Sequence, residues 1–206
     1  MMNPLFLIGV FLLVAALQVI LISGLIPNLP EDIARKCLRD GIKPDIVDVI
    51  PDFEIEVMFG DGVLVEFGNE INERECQEEP NVLWPFEKNT THYTLIMTDP
   101  DNPTRSNATQ REFQHWFIGN IPGTVEGNGE ELTPWYPPHP IKFGGFHRYT
   151  FIVFMQPEGE KIKFDEPKLN NSVHGRAHFN TKKFAAKYNL GDPVAINYFR
   201  AESFHG

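Results

Sequence analysis

The chain is cut into short lengths by glycine and proline, and within those lengths apolar and polar residues alternate. Sixteen glycines and seventeen prolines are spread over 206 residues. A period of two places alternate side chains on opposite faces of a strand, and frequent turn residues keep each strand short. Phe53, Ile55, Val57 and Phe59 share one face of such a run, with Glu54 and Glu56 on the other. Gly60-Asp61-Gly62 then turns the chain, and Val63 to Phe67 resumes the alternation, which predicts a hairpin. Further strands are expected over His92–Thr98, stopped by Asp99-Pro100, and over Phe113–Ile121, stopped by Pro122-Gly123. Others follow over His147–Gln156 and Pro193–Phe199. Residues 122 to 146 are rich in proline and glycine and read as one long loop. Two segments carry helix signals instead. Pro30 to Gly41 has Glu31 and Asp32 in its first turn and a glycine stop, and Asn180 to Leu190 has an Asn or Thr cap before Gly191. The expected class is mostly β, largely antiparallel, with a few peripheral helices.

The first thirty residues follow other rules. No charge occurs before Glu31, and Leu5 to Leu17 is an unbroken run of apolar or small residues. This predicts a signal peptide over residues 1–26, followed by a single domain over 27–206. An uncleaved anchor is the alternative, because Leu5 to Ile26 approaches the ~20 apolar residues that span a bilayer. Ser23, Gly24 and Pro27 break the segment near its end and favour cleavage. The expected location is therefore secreted or extracellular. Three N-x-S/T sequons, at Asn89, Asn107 and Asn170, agree with that route and are candidate glycosylation sites. In an oxidising compartment Cys37 and Cys76 are expected to pair as a disulfide, the alternative being two buried free thiols.

Composition narrows the function. A net charge of −10 argues against nucleic acid and against an anionic membrane surface. Two cysteines cannot make a four-thiolate zinc site. Polar groups on strand faces that should be apolar are more informative. His115 lies in register with Phe113 and Phe117; His147 and Tyr149 lie in register with Phe151 and Val153. Alternation points His147 and Tyr149 the same way, about 7 Å apart. Buried imidazoles and phenols need partners, which backbone carbonyls or a ligand can supply. With Asp99 at a neighbouring strand end, a small polar pocket competes with the reading of separately satisfied side chains.

These residues sit in motifs. Thr98-Asp99-Pro100-Asp101-Asn102-Pro103-Thr104-Arg105 resembles the DPDxPxR segment of phosphatidylethanolamine-binding proteins. Arg111 to Trp116 with Asn120-Ile121-Pro122-Gly123 resembles the segment that follows it, and Gly145-Phe146-His147-Arg148-Tyr149 resembles the family's GxHR motif. Lys43 to Val47 and Leu190 to Ala195 add to a resemblance that runs from about Ile42 to Glu202 in order and spacing. The resemblance implies an antiparallel β-sandwich with peripheral helices and a small anion-binding cavity. Asp99, Pro100, His115, His147 and Tyr149 would line it, with Pro140 at its mouth. It implies a phosphorylated or carboxylated small molecule, or a phospholipid head group, as ligand. Some members inhibit serine proteases or modulate kinase signalling, so a protein partner such as a protease is the second expectation. No catalytic residue, cofactor or metal is assigned, and a monomer is expected. Arg105 and Arg148 are expected in structural ion pairs.

The chain departs from the family pattern in places. Gln114-His115 stands where two histidines often occur, and Phe113 where a tryptophan often does. The usual Gly-Pro-Pro loop is replaced by Trp135-Tyr136-Pro137-Pro138-His139-Pro140, which predicts a bulkier mouth. The chain stops at Gly206, short of the C-terminal helix that covers the site in many animal members, so a more open pocket is expected.

Overall fold

A computed structural model describes residues 31–203, apart from 61, 87, 89 and 125. The leader and the Asn89 sequon therefore lie outside the described residues. Among the described residues no helix is long and apolar enough to cross a membrane.

Helix α1 (Glu31–Arg39) carries Glu31 and Asp32 in its first turn and Lys36 and Arg39 in its last, matching the helix dipole at both ends. Gly41 ends it at φ 74°, a conformation that favours glycine, and the short helix α2 (Ile42–Asp45) follows. The strands are β1 (Phe53–Glu54), β2 (Glu56–Phe59), β3 (Val63–Leu64), β4 (Asn81–Leu83) and β5 (His92–Asp99). Then come β6 (Phe113–Pro122), β7 (Glu130–Thr133), β8 (His147–Met155), helix α3 (Thr181–Lys187) and β9 (Ala195–Ala201). Asn180 caps α3, its side chain accepting from Lys183 N at 2.8 Å.

A six-stranded sheet has the order β1-β9-β8-β5-β6-β7, and a three-stranded sheet the order β3-β2-β4. Every pairing between these strands is antiparallel except β1 with β9. The predicted first strand is thus split. Phe53-Glu54 joins the large sheet, and Glu56–Phe59 forms the expected hairpin with Val63-Leu64 in the small one. The expected long loop of residues 122 to 146 contains β7, an edge strand four residues long and too short to show a period.

Alternation sorts the large sheet's side chains into two cores. Leu95, Met97, Tyr149, Phe151 and Phe199 face the small sheet, packing on Ile55, Val57, Phe59 and Val65. Ile96, Phe117, Ile152, Ile196 and Tyr198 face the other way and are covered by α1, α2 and α3 through Cys37, Ile42 and Phe184. This layering overturns the expected disulfide. Cys37 and Cys76 are both free and fully buried, Cys37 in the helix-side core and Cys76 in the inter-sheet core. The six-stranded sheet stands between them.

Arg148 fastens the beginning of β8 to the helical layer. Its Nε and Nη2 donate to the Asp101 carboxylate at 2.8 and 2.6 Å, and its Nη1 to Asp45 Oδ2 and the carbonyls of Asp40 and Gly41, each at 2.9 Å. The expected ion pair of Arg148 is present. Arg105 differs: its Nη2 donates to the Asp40 carbonyl oxygen, 2.9 Å away.

Candidate functional site

The two antiparallel strands β5 and β8 pair as far as Thr98↔Thr150, so Asp99 at the end of β5 meets the beginning of β8. Asp99 Oδ2 lies 2.7 Å from His147 Nδ1, and Asp99 Oδ1 accepts from Asp101 N at 2.7 Å. Both side chains are 2% exposed. Tyr149, two residues on, stacks on His147 with ring centroids 6.2 Å apart and on Phe199 at 5.1 Å. The shared orientation of His147 and Tyr149 follows from the period of two.

His115 arrives by another route. Pairing along β5 and β6 jumps from Met97↔Trp116 to Thr98↔Gln114, a β-bulge that puts one extra residue into β6. The expectation that His115 shares a face with both Phe113 and Phe117 is therefore half right. Phe117 belongs to the helix-side core, whereas the His115 ring lies 4.9 Å from Phe113 and edge-on to Tyr149 at 5.2 Å. The bulge rephases the strand and turns the imidazole toward the inter-sheet layer.

His115 Nδ1 is 2.7 Å from the Tyr136 carbonyl oxygen. A carbonyl only accepts, so Nδ1 carries the hydrogen. Burial, with the nearby Arg176 charge, lowers the His115 pKa to about 3 against the pull of that carbonyl. The ring is therefore neutral at ordinary pH. His147 goes the other way. Burial opposes its charge, but the bond to Asp99 and the charges of Asp99 and Asp101, with the Pro103 carbonyl, prevail and raise its pKa. Burial likewise raises the pKa of Asp99, more than the His147 bond lowers it. The pair thus holds a proton between two buried groups. Burial also raises the Tyr149 phenol well above its usual value, and it stays a neutral O–H.

Three buried atoms of this cluster make no hydrogen bond of ordinary geometry: His115 Nε2, His147 Nε2, although the Pro103 carbonyl is near enough to favour the charged ring, and the Tyr149 hydroxyl. Buried polar atoms are ordinarily paired, so three open ones around one phenol ring set this cluster apart. Of the remaining expected residues, Pro100 is buried and its carbonyl accepts from Arg111 Nε at 2.9 Å. Pro140 is buried in the loop between β7 and β8. Asn107 and Asn170 are exposed on the surface.

Sequence reasoning missed Arg176. This guanidinium is fully buried and donates to the carbonyls of Ser172, Gln114, His115, Pro134 and Asn170 at 2.6 to 3.1 Å. It lies over the Tyr136 ring at 5.0 Å, and burial lowers its pKa to about 10. It therefore places a positive charge directly behind His115. The segment around it has no strand or helix period, so only a Gly-Arg pair in a polar stretch could have marked it.

Among the described residues no group of three or more His, Cys, Asp and Glu side chains is arranged to hold a metal ion. A separate concavity of about 530 Å³ lies on the helix-covered face, with Ile46, Phe154, Ala185 and Pro193 in its lining. Its Lys182 is already paired with Asp48 at 2.6 Å. The large sheet separates it from the histidines.

Two layered sheets with a buried His–Asp pair, a neutral histidine and a phenol at one end of the inter-sheet core define a β-rich binding domain. A family model described as "Phosphatidylethanolamine-binding protein" matches residues 59–199. The chain belongs to the phosphatidylethanolamine-binding protein family. It is 36% identical to a 26 kDa secreted antigen of Toxocara canis over 81% of its own length, and spans 63% of that protein. It is 30% identical to a putative odorant-binding protein A5 of Drosophila melanogaster, covering 83% of this chain and 80% of that one. A carboxypeptidase Y inhibitor, solved in complex with its cognate proteinase, has the same fold with a TM-score of 0.75 at 23% identity, over 86% of this chain and 98% of the inhibitor.

Proposed function

We propose that this protein is a secreted binding protein. Its ligand pocket is formed by Asp99, Pro100, His115, Pro140, His147 and Tyr149, and it takes the phosphate or carboxylate of a small molecule or phospholipid head group. The observation that carries this reading is the set of three buried atoms without a hydrogen bond of ordinary geometry, His115 Nε2, His147 Nε2 and Tyr149 OH, around one ring. A charged His147 and the Tyr149 hydroxyl offer two donors to an anion, and Arg176 adds a positive field from behind.

Binding fits better than catalysis. Asp99 and His147 are coupled as in a nucleophile-activating triad, but the ring stacked on the imidazole belongs to a phenol, and its hydroxyl makes no hydrogen bond to His147 Nε2. Secretion is supported by the charge-free leader, by the exposure of Asn107 and Asn170, and by the Toxocara relative's description as secreted. The carboxypeptidase Y inhibitor supports a protease partner only through its fold.

Titration with phosphoethanolamine, followed by amide chemical shifts, tests the pocket. His147→Ala should weaken binding by roughly 5- to 150-fold, the effect of one buried hydrogen bond, while circular dichroism stays native. No binding to the native protein, or unchanged affinity in a folded variant, overturns the reading.

A further inference from the structure

We infer that the site selects an oxyanion that brings its own proton, namely the singly charged form of a phosphate monoester, whose P–OH donates to His115 Nε2. This rests on the pocket reading above and narrows it to one protonation state of one ligand class.

The inference starts from which atoms can give a hydrogen and which can only take one. His115 Nδ1 faces the Tyr136 carbonyl oxygen at 2.7 Å and must be the donor of that bond. A second proton on the ring would put a charge in a 3% exposed side chain, beside a guanidinium that donates to the same residue's carbonyl at 2.9 Å. The ring is neutral, and its buried Nε2 presents a lone pair. A phosphate oxygen without a hydrogen would meet that lone pair with its own.

The other two open atoms behave oppositely. Tyr149 OH donates, and His147 Nε2 donates while the ring is charged, with Nδ1 held by Asp99. The site thus asks its ligand for bare oxygens on one side and one O–H on the other. A phosphate monoester below its second pKa of about 6 has both. A phosphodiester, like the phosphate of a phospholipid, has bare oxygens and no hydrogen. A buried acceptor left unpaired is penalised more than a surface one, so the two classes should separate.

Ethyl phosphate and dimethyl phosphate are isomers, and at a pH of about 5 both carry a single negative charge; only the first has a P–OH. Binding is measured by amide chemical shifts of the native protein. Ethyl phosphate is expected to bind at least about tenfold more tightly. The ¹⁵N resonance of His115 Nε2 should move with ethyl phosphate and stay in place with dimethyl phosphate, which a difference in ligand shape alone would not produce. In His115→Gln the side-chain amide can turn its N–H toward the ligand, and the preference should collapse to within about threefold.

Equal affinities, a tighter diester, an unmoved Nε2 resonance, or a folded His115→Gln protein that keeps the preference each overturn the inference and leave the pocket intact. If neither isomer nor phosphoethanolamine binds, the pocket reading itself falls and takes this inference with it. Should His115→Gln fail to fold, the isomer pair and the Nε2 resonance on the native protein decide.

Discussion

His147 and Asp99 show what burial does to a coupled pair. Each has a raised pKa, so the folded state holds protons more tightly than the unfolded chain does. For His147 the sign is direct. Its contribution to stability is complete below its ordinary value of 6.5 and is lost as pH climbs through the raised folded value. Asp99 acts in the same direction in a lower window, beginning at its ordinary 3.8. Stability to urea should therefore decline through His147 as pH rises above its ordinary value of 6.5. In Asp99→Asn the carboxylate that raises the imidazole is gone, and this decline should flatten. An unchanged slope in the variant would assign the titration to another group. At this scale the sequence was partly legible. The period of two identified the His147–Tyr149 pairing, whereas the protonation of His115 depends on one carbonyl, Tyr136, twenty-one positions away.

Among the elements, β8 is anchored at its beginning by a buried ion pair in addition to its apolar contacts. Arg148 and Asp101 side chains are 1% and 0% exposed, and the guanidinium also reaches Asp45 and two carbonyls at the α1–α2 junction. Arg148→Ala leaves Asp101 buried without its cation, so a loss of about 3–5 kcal/mol is expected in urea unfolding. Removing an exposed ion pair, as in Lys168→Ala opposite Glu130, should hardly move the midpoint. Comparable losses in the two variants would mean that Arg148 is not an anchor. Most elements were readable because each has its own pattern: the charged ends of α1, the cap of α3, and the apolar-rich runs of β5, β6 and β8 bounded by turn residues. The failures have physical causes. β7 is too short to show a period. The bulge in β6 comes from how that strand pairs with β5, so no count along β6 alone reveals it.

For the whole molecule, the large sheet decides the state of the cysteines. Cys37 and Cys76 occupy cores on its two faces, and burial pushes both thiols up to about 12. A thiol reagent should find two free thiols in unreduced, denatured protein, and should react with the native protein only as fast as it opens. A protein with no titratable thiol after denaturation would contradict the layered arrangement. An even cysteine count and the expectation of a secretory leader made pairing reasonable. Neither contains the information that a sheet would intervene.

The sequence by itself determined the alternation, the turns and the caps, and with them a mostly antiparallel β protein. It also set the motif order that places Asp99, His115, His147 and Tyr149 in one family pattern. These are local properties, carried by residues within a few positions of one another. Tertiary structure alone decided which carbonyl holds His115 neutral, that Arg176 lies buried behind it, and that the two thiols are kept apart. Each of those depends on segments brought together from distant parts of the chain, and burial then sets the charges and partners those groups can have.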